Sequence, residues 1–192
     1  MRLFVAAHPS DDVRARAAAC AGVLRQRLEG AGAAQGIRWI SPSNMHLTVW
    51  FLGDVSDARA GAVLEALQPP LRTGSFALHV EGFGAFPPSG PPRVLWMGVT
   101  RGLEQLARLH DEVGSRLQPW GFAPEGRAYS AHLTIGRVRE APSGAARAAI
   151  RNAVTHQQGD AGACRMDHLT VFRSRTSPAG AVYEPLLRVP LT

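Results

Sequence analysis

The chain is poor in the features that usually place a sequence at once. Of its 192 residues only two are cysteine, Cys20 and Cys164, and they stand in neither CxxC nor metal-ligand spacing. Both read as small apolar residues of a reducing compartment, and nothing in their spacing asks for a disulfide. No HExxH motif is present, so the histidines carry no zinc signature and no metal is expected. No P-loop is present, which argues against an ATP-dependent ligase, and neither a GxSxG elbow nor a dinucleotide-binding GxGxxG is found. No apolar run approaches the roughly 20 residues of a membrane span. The opening stretch, Met1 to Pro9, is too short for a secretory signal, so a cytoplasmic protein without membrane contact is expected. Charged residues make up only 19% against 45% hydrophobic, which excludes a disordered chain.

What is present is a basic, turn-rich globular sequence. Lys+Arg 21 against Asp+Glu 15 gives a net charge of +6, which attracts polyanions such as nucleic acid or phosphorylated metabolites without choosing among them. Leu3 to Ala7 reads as a strand ended by His8-Pro9. Val13, Ala17, Cys20, Leu24 and Leu28 then recur at helical spacing, capped by Ser10 or Asp11 and stopped by Gly30. Arg38 to Ile40 and Met45 to Leu52 read as extended, with a turn over Ser41 to Asn44. A helix capped by Ser56 and ended by Pro69-Pro70 comes next, and then a strand from Phe76 to Phe83. Beyond the Gly/Pro-rich connection from Gly84 to Pro92 the order repeats. It gives a strand from Val94 to Val99, a helix on Leu103, Leu106, His110, Val113 and Leu117, and a strand from Ala131 to Val138. A helix capped by Ser143, a strand from Met166 to Phe172 and a hairpin around Ser177 to Gly180 complete it. This pattern predicts a duplicated α+β fold, two antiparallel sheets facing a central cleft with helices packed outside. The expected organisation is one domain over 1–192, with pseudo-symmetric lobes at about 1–88 and 89–192 and strand exchange between them. A monomer is expected.

One tetrapeptide recurs inside the repeat: His46-Leu47-Thr48-Val49 and His132-Leu133-Thr134-Ile135. On a strand, His and Thr project to one face and the aliphatic pair to the other. Two such pairs brought together suit phosphodiester cleavage. A neutral imidazole takes a proton from the attacking hydroxyl or water, and an imidazolium gives one to the leaving oxygen. Histidine, with an ordinary pKa of about 6.5, supplies both forms near neutrality. The threonine hydroxyls can donate to non-bridging phosphate oxygens where charge accumulates. These residues alone leave the acid and base roles interchangeable.

Two HxTx motifs 132 − 46 = 86 residues apart resemble the signature of the 2H phosphoesterase superfamily. Arg2-Leu3-Phe4-Val5-Ala6, Arg38-Trp39-Ile40-Ser41-Pro42 ahead of the first motif and Phe51-Leu52-Gly53 after it look like the bacterial RNA 2′,3′-cyclic phosphodiesterase branch. That branch is also called 2′-5′ RNA ligase or LigT-like. Gly84-Ala85-Phe86-Pro87, Pro92-Arg93-Val94-Leu95-Trp96 and Tyr183-Glu184-Pro185-Leu186 extend the likeness over nearly the whole chain. The resemblance implies hydrolysis of a terminal 2′,3′-cyclic phosphate to a 2′-phosphate, with His46 as proton donor to the 3′ oxygen and His132 as proton acceptor from water. No cofactor is implied. Ala131 stands where the family usually has proline, a difference of backbone stiffness more than of chemistry.

Other residues have weaker claims. A third copy, His168-Leu169-Thr170-Val171, comes after the second helix of its half instead of preceding it, so the repeat pairs His46 with His132 and leaves His168 out. Arg137 can hold a phosphate through two donors, but strict alternation from His132 points it to the wrong face unless Gly136 forms a bulge. Trp50 shares parity with His46 and Thr48 and can stack on a base or fill the space between lobes. Thr48, Thr134, Arg137 and Trp50 are therefore the substrate-binding candidates, and RNA 3′ ends or small cyclic nucleotides the expected partners. Two alternatives keep the same site, a cyclic phosphodiesterase on a small nucleotide and a 2′-5′ RNA ligase. A third is a non-catalytic basic RNA-binding module, but packing gives no reason to repeat an exposed His/Thr pair.

Overall fold

The computed structural model describes residues 1–123, 126, 128–177 and 180–192. In chain order it contains β1 (Arg2–Ala7), α1 (Asp11–Gly30), β2 (Ile37–Trp39), β3 (Leu47–Asp54), α2 (Asp57–Leu67), β4 (Phe76–Phe86) and β5 (Val94–Arg101). It continues with α3 (Leu103–Leu117), β6 (Leu133–Val138), α4 (Gly144–His156), β7 (Asp160–Met166), β8 (His168–Ser177) and β9 (Gly180–Pro190).

Serine starts three of the helices. The Ser10, Ser56 and Ser143 hydroxyls accept from the backbone N–H of Val13, Arg59 and Ala146 at 3.4, 3.5 and 3.2 Å. Each such cap stabilises its helix by about 1 kcal/mol. α1 buries Val13, Ala17, Ala21, Leu24 and Leu28 along one stripe. No helix among the described residues is long and apolar enough to cross a membrane.

The strands run in the order β7-β4-β5-β6-β3-β1-β8-β9, with the short β2 on β6. Leu47 opposite Leu133 is the pair that joins β3 to β6. The two expected antiparallel sheets are thus halves of one curled sheet, β9-β8-β1-β3 and β6-β5-β4-β7, hinged at that pair. Leu3, Val5, Leu47, Leu133 and Ile135 are fully buried, and the helices pack over this side. On the concave side Phe4, Ala6 and Phe172 form a smaller cluster with Tyr183 against it.

Three elements differ from the sequence-based expectation. β4 runs on through Gly84 to Phe86, a stretch predicted as connection. The strand predicted from Met166 to Phe172 is two strands parted at Asp167, and β7 pairs with β4 at the sheet edge. β7 reads Asp-Ala-Gly-Ala-Cys-Arg-Met, a composition of low strand propensity, and its small residues let α1 approach. There Arg16 donates to the Ala161 carbonyl at 2.7 Å. The predicted hairpin turn includes Pro178 and Ala179, which lie outside the described residues.

The third difference concerns Trp50. Ala6 faces Thr48, but Val5 faces Trp50, so Val49 is an extra residue in β3. Such a bulge reverses the alternation beyond it. Trp50 therefore turns away from Thr48 to the helix side with Val5, 5% exposed, its ring 4.8 Å from that of His110 on α3. Gly114 makes room for it, since a Cβ there would stand 2.5 Å from Trp50 Cζ3. Alanine in a helix gains about 1 kcal/mol over glycine, but overpacking costs about 1–3 kcal/mol. Gly114→Ala should therefore lower the melting temperature by roughly 2–4 °C, and by less in a Trp50→Phe background. An unchanged or raised melting temperature would contradict this packing.

Candidate active site

The join between the half-sheets also organises the polar face. Leu47 and Leu133 are opposite each other in an antiparallel pair. One residue further each way, His46 falls across from Thr134 and Thr48 across from His132. Leu47 and Leu133 point into the core, so these four side chains share the concave face. Opposite residues in such a pair have Cβ atoms about 5 Å apart and diagonal ones about 7–8 Å apart. The two imidazoles occupy one diagonal, with a gap suited to a single phosphorus and its oxygens.

The rings are held in the same way. His46 Nδ1 lies 2.8 Å from the Asn44 carbonyl oxygen and His132 Nδ1 lies 2.8 Å from the Ser130 carbonyl oxygen. A carbonyl only accepts, so each Nδ1 carries a proton and donates it. In the neutral ring Nε2 is then left free to take a proton. His168 differs: its Nδ1 is bonded to the Asp167 carboxylate.

Aromatic rings press on both imidazoles. Phe4 and Tyr183 lie 4.8 and 5.1 Å from His46, and Phe86 lies edge-on to His132 at 5.0 Å. Burial is the main reason that His46 is driven down to about 4; charge on His8, Arg137 and His132 acts in the same direction and the Asn44 carbonyl opposes it. His132 is lowered as well, chiefly by burial and then by Arg137, against the Ser130 carbonyl. Both rings are therefore neutral at pH 7 when the site is empty.

Arg137 reaches this face through a second bulge. Trp96 pairs with Thr134 but Leu95 pairs with Gly136, so Ile135 is extra in β6 and Arg137 comes opposite Val94 on the concave side. The bulge in β3 has the same place relative to its histidine, and it brings Phe51, not Trp50, to the matching position. Phe51 pairs with Phe4, is 43% exposed and stands as far from His46 as Arg137 does from His132, 51 − 46 = 137 − 132 = 5. Comparing the two halves residue by residue would have singled it out; reading alternation alone did not.

Two cavities open on the group. One of about 740 Å³ includes Thr48 and His132, with Phe51, Phe86, Pro87 and Tyr129 in its walls and an edge of Trp50. One of about 290 Å³ includes His46. Among the described residues no three His, Cys, Asp or Glu side chains are grouped to hold a metal.

A curled antiparallel sheet, with helices on its outer side and a His-x-Thr pair on each central strand, is the architecture of a two-histidine phosphoesterase. More narrowly, the chain belongs to the family described as "LigT like Phosphoesterase", whose model matches residues 13–96 and 99–183. It is 31% identical over 187 residues to the Thermotoga maritima protein named RNA 2′,3′-cyclic phosphodiesterase, covering 97% of this chain and 93% of that one. A protein of the same name from Archaeoglobus fulgidus is 35% identical over 139 residues, 72% of this chain and 73% of its own. Among solved structures, TT0787 of Thermus thermophilus superposes with a TM-score of 0.76 at 22% identity, covering 100% of this chain and 98% of that one. Escherichia coli LigT in complex with 3′-AMP gives 0.75 at 24% identity with the same coverage. At these identities the superpositions establish the fold.

The depressed His46 has a consequence for stability. The unfolded chain takes up this proton near pH 6.5 and the folded protein only near 4. Between those values the unfolded state binds more protons, so acid lowers stability across that window, by on the order of 3 kcal/mol in full. Below pH 4 the dependence on this group flattens. Replacing His46 by Gln should leave a shallower fall in melting temperature from pH 6.5 to 4, with part of the remainder due to His132 and His8, which are also lowered. A slope equal to that of the wild type would contradict the burial of this ring.

Proposed function

We propose that this protein hydrolyses the terminal 2′,3′-cyclic phosphate of RNA to a 2′-phosphate, without a metal, using His46 and His132 as acid and base. The observation that carries the reading is the matched pair of Nδ1 donations to Asn44 and Ser130, which leaves one free Nε2 on each side of the same gap. Support for the substrate comes from relatives named RNA 2′,3′-cyclic phosphodiesterase. The fold neighbour LigT was crystallised with 3′-AMP, ATP and NADP⁺, all nucleotides. In this reading the enzyme works as a cytoplasmic monomer.

The chemistry runs as an in-line displacement. His132 Nε2 takes a proton from water as the water oxygen bonds to phosphorus. The P–O3′ bond breaks on the opposite side, and His46 Nε2 gives its proton to the departing 3′ oxygen. The products are a 2′-phosphate and a 3′-hydroxyl, with one water consumed. Thr48 and Thr134 donate to the non-bridging oxygens, Arg137 balances their charge, and Trp50 supplies part of the cleft wall. The assignment of His46 as acid rests on the family resemblance. In the empty site it would hold little proton at pH 7, but the anionic phosphate between the rings favours the imidazolium and raises it.

RNA ending in a 2′,3′-cyclic phosphate should be converted to the 2′-phosphate at equal rates with and without EDTA. His46→Ala and His132→Ala should each lose about 10²–10⁴-fold in kcat, and His168→Ala far less. Loss of turnover with chelator, or an active double-alanine variant, overturns the reading. The pH dependence offers a second check. Both kcat and kcat/KM should be bell-shaped, with the kcat bell centred at higher pH because bound phosphate raises the acid. Coincident bells contradict that account of how a buried imidazole acts as an acid.

A further inference from the structure

The third motif copy, His168-Leu169-Thr170-Val171 on β8, has no part in the proposed chemistry, yet register brings its polar pair to the same face. Thr170 faces Ala6 and Ala6 faces Thr48, so these three form one row across β8, β1 and β3. Carried two residues further, the same pairing aligns His168, His8 and His46 in the next row on that face. The electrostatics run in that order: charge on His8 acts on His46, and charge on His168 acts on His8.

Thr170 is 6% exposed, the buried polar residue among the described residues. It lines the cavity of about 290 Å³ together with His8, Ser43, His46, Phe172 and Tyr183. Three hydroxyls and two imidazoles line this one small space, a set of polar groups that can serve a ligand rich in acceptor oxygens. Of the nearby carboxylates, Asp167 is engaged by His168 and by Arg188 at 3.4 Å, with Arg188 opposite Thr170 on β9, and Asp11, which acts on His8, is paired with Arg14.

We infer that this cavity is a second phosphate subsite, which takes the 5′-phosphate of the terminal nucleotide while its cyclic phosphate lies between His46 and His132. The inference rests on the proposed function. If His46 protonates O3′, the ribose lies on the His46 side of phosphorus, toward β1 and β8. The next phosphate of the same nucleotide lies beyond that ribose. The strand β1 that carries His8 is one sheet spacing from β3, roughly 5 Å, a gap that a single ribose bridges.

The test compares two small substrates, a nucleoside 2′,3′-cyclic phosphate and the same compound bearing a 5′-phosphate. In the wild type the 5′-phosphate should lower KM by about tenfold, the worth of one charge-assisted hydrogen bond, with kcat little changed. Thr170→Val and His8→Asn should bring the ratio of the two KM values toward one, and Thr170→Ser should keep most of it. Equal KM values for the two compounds in the wild type overturn the subsite, and so does a ratio that survives both Thr170→Val and His8→Asn. Should Thr170→Val fail to fold, the wild-type ratio and His8→Asn decide the matter. If the wild type turns over neither compound nor RNA, it is the proposed function that fails, not the subsite alone.

Discussion

Leu47 and Leu133 are fully buried, and their pairing is what ties β3 to β6 and one half-sheet to the other. Two aliphatic side chains in the core thereby fix the positions of four polar ones on the far face. The backbone alternates, so burying the leucines leaves the flanking histidines and threonines no choice of side. A slip of one residue in this join would send the imidazoles into the core and the leucines into the cleft. The hydrophobic penalty for that slip, about 1.5–3 kcal/mol for each exposed leucine, is what keeps the polar group in register. Geometry at the site is thus enforced from the side that takes no part in chemistry.

The two bulges refine this arrangement. Each adds one residue just after the His-x-Thr pair, at Val49 in β3 and at Ile135 in β6, and each reverses the alternation of the residues that follow it, in β3 as far as a further shift at Leu52. In β3 the reversal sends a large aromatic, Trp50, into the interior against α3 and presents Phe51. In β6 it leaves the interior position to Gly136 and presents Arg137. Equivalent backbones therefore carry unlike side chains, an aromatic on one side of the cleft and a guanidinium on the other. The two sides of the cleft thereby present unlike groups, which suits the proposed substrate with a base at one end and a phosphate at the other.

Much of this was legible in the sequence because it is local. Helical spacing with a serine at each start located α1, α2 and α4, and the repeated tetrapeptide identified the polar quartet and its sharing of one face. What escaped depends on distant partners. β7 is short of β-branched and aromatic residues, and it is a strand because β4 pairs with it and α1 covers it. The faces of Trp50 and Arg137 depend on bulges that only the neighbouring strands reveal. His8, next to Pro9, gave no signal alone; its interest arises from standing between His46 and His168 on adjacent strands.

The central claim is that two imidazoles and two hydroxyls surround one phosphorus. A crystal structure with vanadate and a nucleoside, which together imitate the five-coordinate phosphorus, tests it most directly. The account predicts vanadium over the Leu47–Leu133 join, with Nε2 of His46 and of His132 each about 3 Å from a vanadate oxygen on opposite sides. Thr48 and Thr134 should donate to the oxygens between them. Vanadate bound elsewhere, or both imidazoles on the same side of the metal, would contradict it.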